Sequence, residues 1–129
     1  MSRKVQYHWD LEVYQISVNA AMRIFEISKT FPKEETYSLT DQIRRSSRSV
    51  SSAIAEGWRR RKYLKAFVNK LNESESEAAE TQVWLEYSVK CGYMDRVLGK
   101  KLHETYDNII GKLVTMGNNP EPWLLKKSQ

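Results

Sequence analysis

The sequence predicts an all-α protein, an antiparallel up-down-up-down four-helix bundle that occupies residues 1–129 as a single domain. Apolar residues recur at helical spacing over four long stretches, which is typical of amphipathic helices. Only five glycines and three prolines interrupt the 129 residues, and the connections between the four stretches are short. Helices joined by short connections run antiparallel to their chain neighbours. A chain of this length buries a hydrophobic core without disulfides, and the single Cys91 excludes an intramolecular one.

The first helix is predicted over residues 11–30 and carries two apolar stripes. One stripe consists of Leu11, Tyr14, Val18, Ala21 and Phe25, and the other of Val13, Ile16, Ala20, Ile24, Ile27 and Phe31. Pro32 ends the helix, because proline disfavours helical backbone in the residue before it. One stripe is enough to face a bundle core. The second apolar stripe of this helix is explained either by a broad buried face or by a subunit interface. The predicted interface comprises Val13, Ile16, Ile24, Ile27, Trp84 and Tyr87.

The other three helices have recognisable start or stop signals. The second is predicted over residues 39–60, where Ser38 and Asp41 resemble a capping box. The third is predicted over residues 63–91, with Gly92 as a left-handed cap beyond its end. The fourth spans residues 96–117 behind a capping Asp95 and is followed by a tail at 118–129. Small residues of the second and third helices, including Ser74, predict a layer in which these helices approach closely.

The sequence gives little indication of a catalytic site or a metal site. A di-iron carboxylate site requires Glu-x-x-His pairs on two helices. The residues three positions before His8 and His103 are Val5 and Lys100, so neither pair exists. Cys91 lies near a helix C-terminus, where the helix dipole opposes a thiolate. We therefore expect no metal, no cofactor, no catalytic residue and no enzymatic activity.

Charge is segregated along the chain, whose net charge is +5. Residues 38–70 hold nine basic and two acidic side chains, whereas residues 71–90 hold five glutamates and one lysine. Such segregation favours a polyanionic partner, although many basic proteins bind nothing anionic.

The basic residues fall into two sets. A turn near Arg61 brings the first set, Arg44, Arg45 and Arg48, level with Glu75, Glu77 and Glu80. Salt bridges between the two helices are the preferred interpretation of this set, and secondary nucleic-acid contacts are the alternative. The second set has no acid within residues 57–72 to neutralise it and is flanked by aromatic rings that could stack on bases. The predicted nucleic-acid site is Arg59, Arg60, Arg61, Lys62, Lys65, Trp58 and Tyr63, with a solvated turn as the alternative.

Several sequence runs resemble one protein family. They are FPKEE at 31–35, YSLTDQIRRS at 37–46, IAEG at 54–57, EAAETQVWLE at 77–86 and GY at 92–93. These runs are similar to bacterial four-helix bundle proteins encoded by intervening sequences within 23S ribosomal RNA genes, and the similarity covers residues 11–113. The resemblance implies a homopentameric ring with a nucleic-acid-associated role. A more distant resemblance is to the accessory protein of diversity-generating retroelements, which partners a reverse transcriptase and nucleic acid.

The function predicted from these features is that of a non-enzymatic, oligomeric nucleic-acid-binding bundle, with RNA as the favoured ligand. The alternative is a protein-interaction adaptor, for example an accessory subunit that docks a polymerase or a reverse transcriptase. The sequence shows neither the apolar run of a secretory signal nor the roughly 18 consecutive apolar residues of a membrane span. A cytoplasmic location without a membrane partner is therefore expected.

Overall fold

A computed structural model describes residues 4–125 and confirms the all-α four-helix bundle. The helices are α1 (Glu12–Ser28), α2 (Leu39–Arg59), α3 (Leu64–Lys90) and α4 (Arg96–Asn118). Three short 3-10 turns lie at His8–Asp10, Lys33–Glu35 and Glu121–Trp123. The predicted helix limits agree with the observed ones to within two residues. No helix among residues 4–125 is both long and apolar enough to cross a membrane.

The connections divide the bundle into two ends. The lower end comprises residues 4–11, the α2–α3 connection at 60–63 and residues 119–125; the upper end comprises residues 29–38 and 91–95. Side-chain contacts hold each end together. At the upper end the Tyr93 hydroxyl donates to Glu35 Oε2 at 3.0 Å. At the lower end the indole N–H of Trp58 donates to the Gln6 carbonyl at 3.4 Å, and the rings of Trp58 and Trp123 meet edge to face. Gln6, before α1, and Trp123, after α4, therefore both lie against Trp58 beside the α2–α3 turn.

The predicted signals at the α3–α4 connection are confirmed. Gly92 has φ +79, in the left-handed region that favours glycine. Its amide donates to Val89 O and the Tyr93 amide donates to Ser88 O, which is the hydrogen-bond pattern of a Schellman cap. The Asp95 carboxylate then accepts from the amides at the second and third positions of α4, both at 3.1 Å. Local sequence therefore determines this connection.

The predicted capping box at Ser38 is wrong. The Ser38 side chain makes no capping bond; its hydroxyl donates to Glu35 Oε1 at 2.6 Å. Glu35 Oε1 itself accepts from the Leu39 amide at 3.4 Å. Glu35 therefore takes the place of Ser38 as the hydrogen-bond acceptor at the start of α2. The 3-10 turn before α2 causes this change, because it brings the Glu35 carboxylate over the helix start. The hydrogen bonds from Ser38 and Tyr93 lower the pKa of Glu35, so the carboxylate is stabilised in its charged form.

The predicted layer of small residues between α2 and α3 is confirmed. Ser46, Ser74, Ala78 and Thr81 are all buried at this contact. The Thr81 hydroxyl donates to Ser46 Oγ at 2.8 Å, and the Ser74 hydroxyl donates to the Val50 carbonyl at 2.8 Å. Each buried hydroxyl is thus paired, which removes the cost of burying it unsatisfied. Small side chains let the two helices approach closely and set their register.

Two residues of the predicted subunit interface belong to the core instead. Val13 is 3% exposed and Ile24 is fully buried, whereas Ile16 and Ile27 keep part of their surface. The buried face of α1 also includes Ser17, a small polar residue that apolar periodicity does not reveal. The second stripe of α1 is therefore mainly a core face. For Val13 and Ile24, the broad buried face is the correct alternative and the subunit interface is not.

Candidate nucleic-acid interface

The α2–α3 turn presents positive charge at the lower end of the bundle. α2 ends at Arg59, the Arg60 amide donates to Gly57 O at 2.9 Å, and the Tyr63 amide donates to Arg60 O at 2.9 Å. These bonds reverse the chain within four residues, and α3 begins at Leu64. The close turn therefore concentrates cations that are neighbours in the sequence.

Four cationic side chains on this turn are exposed and form what we call the basic turn: Arg59, Arg60, Lys62 and Lys65. None of the ion pairs within the part of the chain that the structure describes involves any of them. Like charges held close together without a neutralising acid create a positive potential that attracts anions. This potential makes the basic turn the strongest candidate for contact with phosphates.

Arg61 has a different role from its neighbours. Its guanidinium lies 3.5 Å from the centroid of the Trp58 ring, and its Nε donates to the Trp58 carbonyl at 2.7 Å. Burial, together with the charge of Arg59, lowers the pKa of Arg61. The Arg61 carbonyl also accepts from the Leu125 amide at 3.4 Å. Arg61 therefore ties the turn to the core and to the chain beyond α4, and its guanidinium is already engaged.

The prediction that Trp58 stacks on bases is wrong. Trp58 is only 5% exposed, because Arg61, Trp123 and the backbone at Gln6 cover its ring. Tyr63, the other aromatic residue predicted for the site, is 62% exposed, and Lys62 Nζ lies 5.8 Å from its ring centroid. One of the two predicted rings is thus accessible beside the basic turn.

Two accessible rings at the lower end were not predicted. Tyr7 and Trp9 stack on each other with centroids 4.4 Å apart and planes 10° from parallel. Both are about half exposed. The signal in the sequence is the run Tyr7-His8-Trp9, in which three rings are adjacent ahead of the first helix.

The first basic set does not make its predicted salt bridges with the α3 glutamates. Arg44 Nε donates to Ser28 Oγ at 2.8 Å, and the guanidinium groups of Arg44 and Arg48 lie 4.9 and 5.6 Å from the centroid of the Phe25 ring. Arg45 pairs with Asp41, one turn earlier on α2, at 3.8 Å. The predicted register is nearly right, but the orientation of α2 about its axis directs Arg44 and Arg48 toward α1.

Lysines, rather than these arginines, pair with acids on α3. Lys70 Nζ lies 2.8 Å from Glu73, and Lys90 pairs with Glu86 at 3.0 Å. Lys70 Nζ also lies 3.2 Å from Glu56 and so joins α3 to α2. The Arg44–Arg48 set lies roughly 20 Å from the basic turn along α2, at 1.5 Å per residue. The two basic sets therefore form separate surfaces, and the basic turn at the lower end has no ion-pair partner within residues 4–125.

No group of three or more His, Cys, Asp or Glu side chains that could hold a metal ion occurs within residues 4–125. Cys91 is exposed at the end of α3. His103 lies 3.6 Å from Asp107, one turn away on α4. The strongest candidate site is therefore the lower end, where the basic turn lies beside exposed aromatic rings.

Residues 9–115 match the family model described as 23S rRNA-intervening sequence protein. The chain belongs to this family. The predicted resemblance is thereby confirmed, and the match includes both basic sets and Tyr63 but not Tyr7. A solved structure with the same fold is a protein of unknown function from the S23 ribosomal protein family of Bacteroides thetaiotaomicron, with 28% identity and a TM-score of 0.74 over 82% of this chain and 95% of that one. No curated protein matches the chain.

Proposed function

We propose that this member of the family is a non-enzymatic, oligomeric, cytoplasmic protein that binds nucleic acid at the lower end of the bundle. The observation that carries the proposal is the basic turn, with four exposed cations and no ion-pair partner among residues 4–125. The exposed ring of Tyr63 beside it adds a surface for base stacking. RNA is the favoured nucleic acid, because accessible aromatic rings beside cations are typical of RNA recognition.

Binding through the basic turn is expected to weaken steeply as salt increases. Each phosphate that a cation neutralises releases counterions, which gives a log–log slope of about −0.7 per contact on a single strand and about −0.9 on a duplex. Fluorescence anisotropy of a labelled RNA across a salt series measures this slope. Four contacts in one subunit would give a slope of roughly −3. Binding that does not change with salt, or no binding to any RNA or DNA tested, would support the adaptor instead.

One observation supports the alternative function, a protein-interaction adaptor: α3 carries an exposed apolar surface. Val83 and Tyr87 are exposed one turn apart on this helix, and the half-buried Trp84 ring lies 5.9 Å from the Tyr87 ring. Exposed apolar clusters mark protein contacts more often than nucleic-acid contacts. A second protein, such as a polymerase, or another copy of this chain would both fit this surface. Pull-down of the native protein, followed by identification of the bound RNA and protein, separates these ligands.

Self-assembly is the second part of the proposal, with a pentamer as the expected form from the family resemblance. Four residues of the predicted interface, Ile16, Ile27, Trp84 and Tyr87, keep accessible surface. Ile16 lines a groove of about 450 Å³ between α1 and α4, and Ile27 lines a neighbouring groove with the exposed Met22. Both grooves mix apolar side chains with polar ones such as Asn19 and Arg23. Partly exposed apolar side chains with polar neighbours are the type of surface that a second subunit covers.

Replacing Ile16 by Glu is expected to lower the oligomer order while leaving helicity nearly unchanged. The charge would lie in the α1–α4 groove, where a partner would have to desolvate it. Light scattering should give several times 15.2 kDa for the wild type and a smaller mass for the variant. Tyr37→Glu is the control, because Tyr37 is 93% exposed and lies on neither α1 nor α3. A wild type that stays monomeric at micromolar concentration would contradict self-assembly.

A further inference from the structure

We propose that the stacked rings of Tyr7 and Trp9 form a platform for an unpaired base, so that the lower end prefers single-stranded nucleic acid to duplex. This inference rests on the proposed function and specifies its class of ligand. It is carried by the geometry of the ring pair, its rigid attachment to the bundle and its position beside the basic turn.

The geometry of the pair leaves ring surface open. Tyr7 is 47% exposed and Trp9 is 53% exposed, although each ring covers the other at 4.4 Å. His8 meets Trp9 edge to face at 4.9 Å and meets Tyr14 of α1 in the same manner at 4.8 Å. A planar base added to the stack would cover apolar surface that water otherwise contacts.

Polar contacts hold this segment in place before any ligand binds. Asp10 Oδ2 accepts from the amides of Gln6 and Tyr7 at 3.1 and 3.0 Å. The Gln15 side-chain amide donates to the Trp9 carbonyl at 2.8 Å and so attaches the segment to α1. Rings held in this way lose little conformational entropy on binding, which favours affinity.

Trp58 connects the ring pair to the basic turn. Its indole N–H donates to the carbonyl of Gln6, the residue before Tyr7, and its ring lies under the Arg61 guanidinium. Arg60 and Lys62 flank Arg61 in the chain and are exposed. Phosphates bound at the basic turn would therefore lie on the same end of the bundle as the open rings. Bases within a duplex already stack on their neighbours, so only an unpaired base can reach the platform.

The test compares four variants with the wild type by fluorescence anisotropy. The ligands are a labelled single-stranded oligoadenylate and a labelled RNA duplex of the same length. The platform variant is Tyr7→Ser with Trp9→Ser. Its control is Tyr37→Ser, which removes an exposed ring at the upper end. The charge variant is Arg59→Gln with Arg60→Gln and Lys62→Gln.

The platform variant is expected to bind the single strand roughly tenfold more weakly, the order of effect for losing one stacked base. Its duplex affinity and its salt slope should match those of the wild type, and Tyr37→Ser should bind normally. Trp9→Tyr should keep most of the single-strand affinity, because a tyrosine ring also stacks, but should lose the tryptophan quenching that the oligoadenylate causes in the wild type.

Three results separate failure of the platform from failure of the proposed function. Unchanged single-strand binding by the platform variant, with weakened binding by the charge variant, would overturn the platform and keep the proposed function. Equal loss of single-strand and duplex binding by the platform variant would also overturn the platform. Absence of any effect in the charge variant would overturn the proposed function itself.

Discussion

Replacing Arg59, Arg60 and Lys62 by Gln is expected to remove most nucleic-acid affinity and to leave thermal stability nearly unchanged. The three side chains are exposed and have no ion-pair partner among residues 4–125, so folding depends little on them. Loss of like-charge repulsion even favours the folded state slightly. Losing three phosphate contacts should weaken binding roughly 100-fold or more at low salt and flatten the salt slope by about one unit per contact. Anisotropy across a salt series and thermal unfolding measure the two effects.

Arg61 is kept in that variant because it supports the fold. Its guanidinium covers Trp58 and its Nε donates to the Trp58 carbonyl. Arg61→Gln alone should lower the melting temperature, which identifies it as a structural residue of the turn.

The matched control replaces the other basic set, Arg44, Arg45 and Arg48, by Gln. Arg44 and Arg48 lie over the Phe25 ring and Arg44 donates to Ser28, so this change should cost on the order of 1 kcal/mol in stability. Its nucleic-acid affinity should be largely kept. If this set instead controls binding, the interface lies on the α1–α2 face. If neither set matters, the basic charge is a solvated surface and the adaptor becomes the better account.

Gly99→Ala is expected to destabilise the protein, whereas Gly111→Ala on the same helix is expected to stabilise it. A Cβ at Gly99 would overlap the Cγ2 atom of Val89 on α3 and would also contact the Met94 sulfur. Overpacking of this type costs about 1–3 kcal/mol, which exceeds the roughly 1 kcal/mol that alanine contributes to helix propensity. A Cβ at Gly111 would meet nothing within 4 Å, so only the propensity gain remains. Urea denaturation of both variants measures the difference in free energy of unfolding.

A double variant shows whether Val89 is the cause. Val89→Ala removes the methyl groups that a Cβ at Gly99 would strike, so combining it with Gly99→Ala should cost less than the sum of the two single changes. Additive costs, or a Gly99→Ala variant as stable as Gly111→Ala, would show that α3 and α4 are not in close contact at this point.

Features that depend on neighbouring residues could be predicted from the sequence. Helical periodicity and sparse glycine and proline define four helices, and Asp95 and Gly92 cap helix ends through backbone geometry within a few residues. The basic turn was predictable for the same reason, because adjacent cations on a short connection lie together however the helices pack. The small residues of α2 and α3 similarly indicated a close contact, since no larger side chain stood there to separate the helices.

Tertiary structure alone decided which of these side chains are accessible. Periodicity shows that α1 has two apolar stripes, but the rotation of a helix about its axis is set by packing against all its neighbours, and this packing buries Val13 and Ile24. The rotation of α2 about its own axis likewise directs Arg44 toward Phe25 of α1 instead of toward α3. Trp58 is covered by Gln6 and Trp123, more than fifty positions away in the chain in each direction, and such contacts leave no local pattern. The sequence by itself therefore determined the four helices and the location of the charge. Which face of each helix is buried and which is exposed followed only from packing between distant segments.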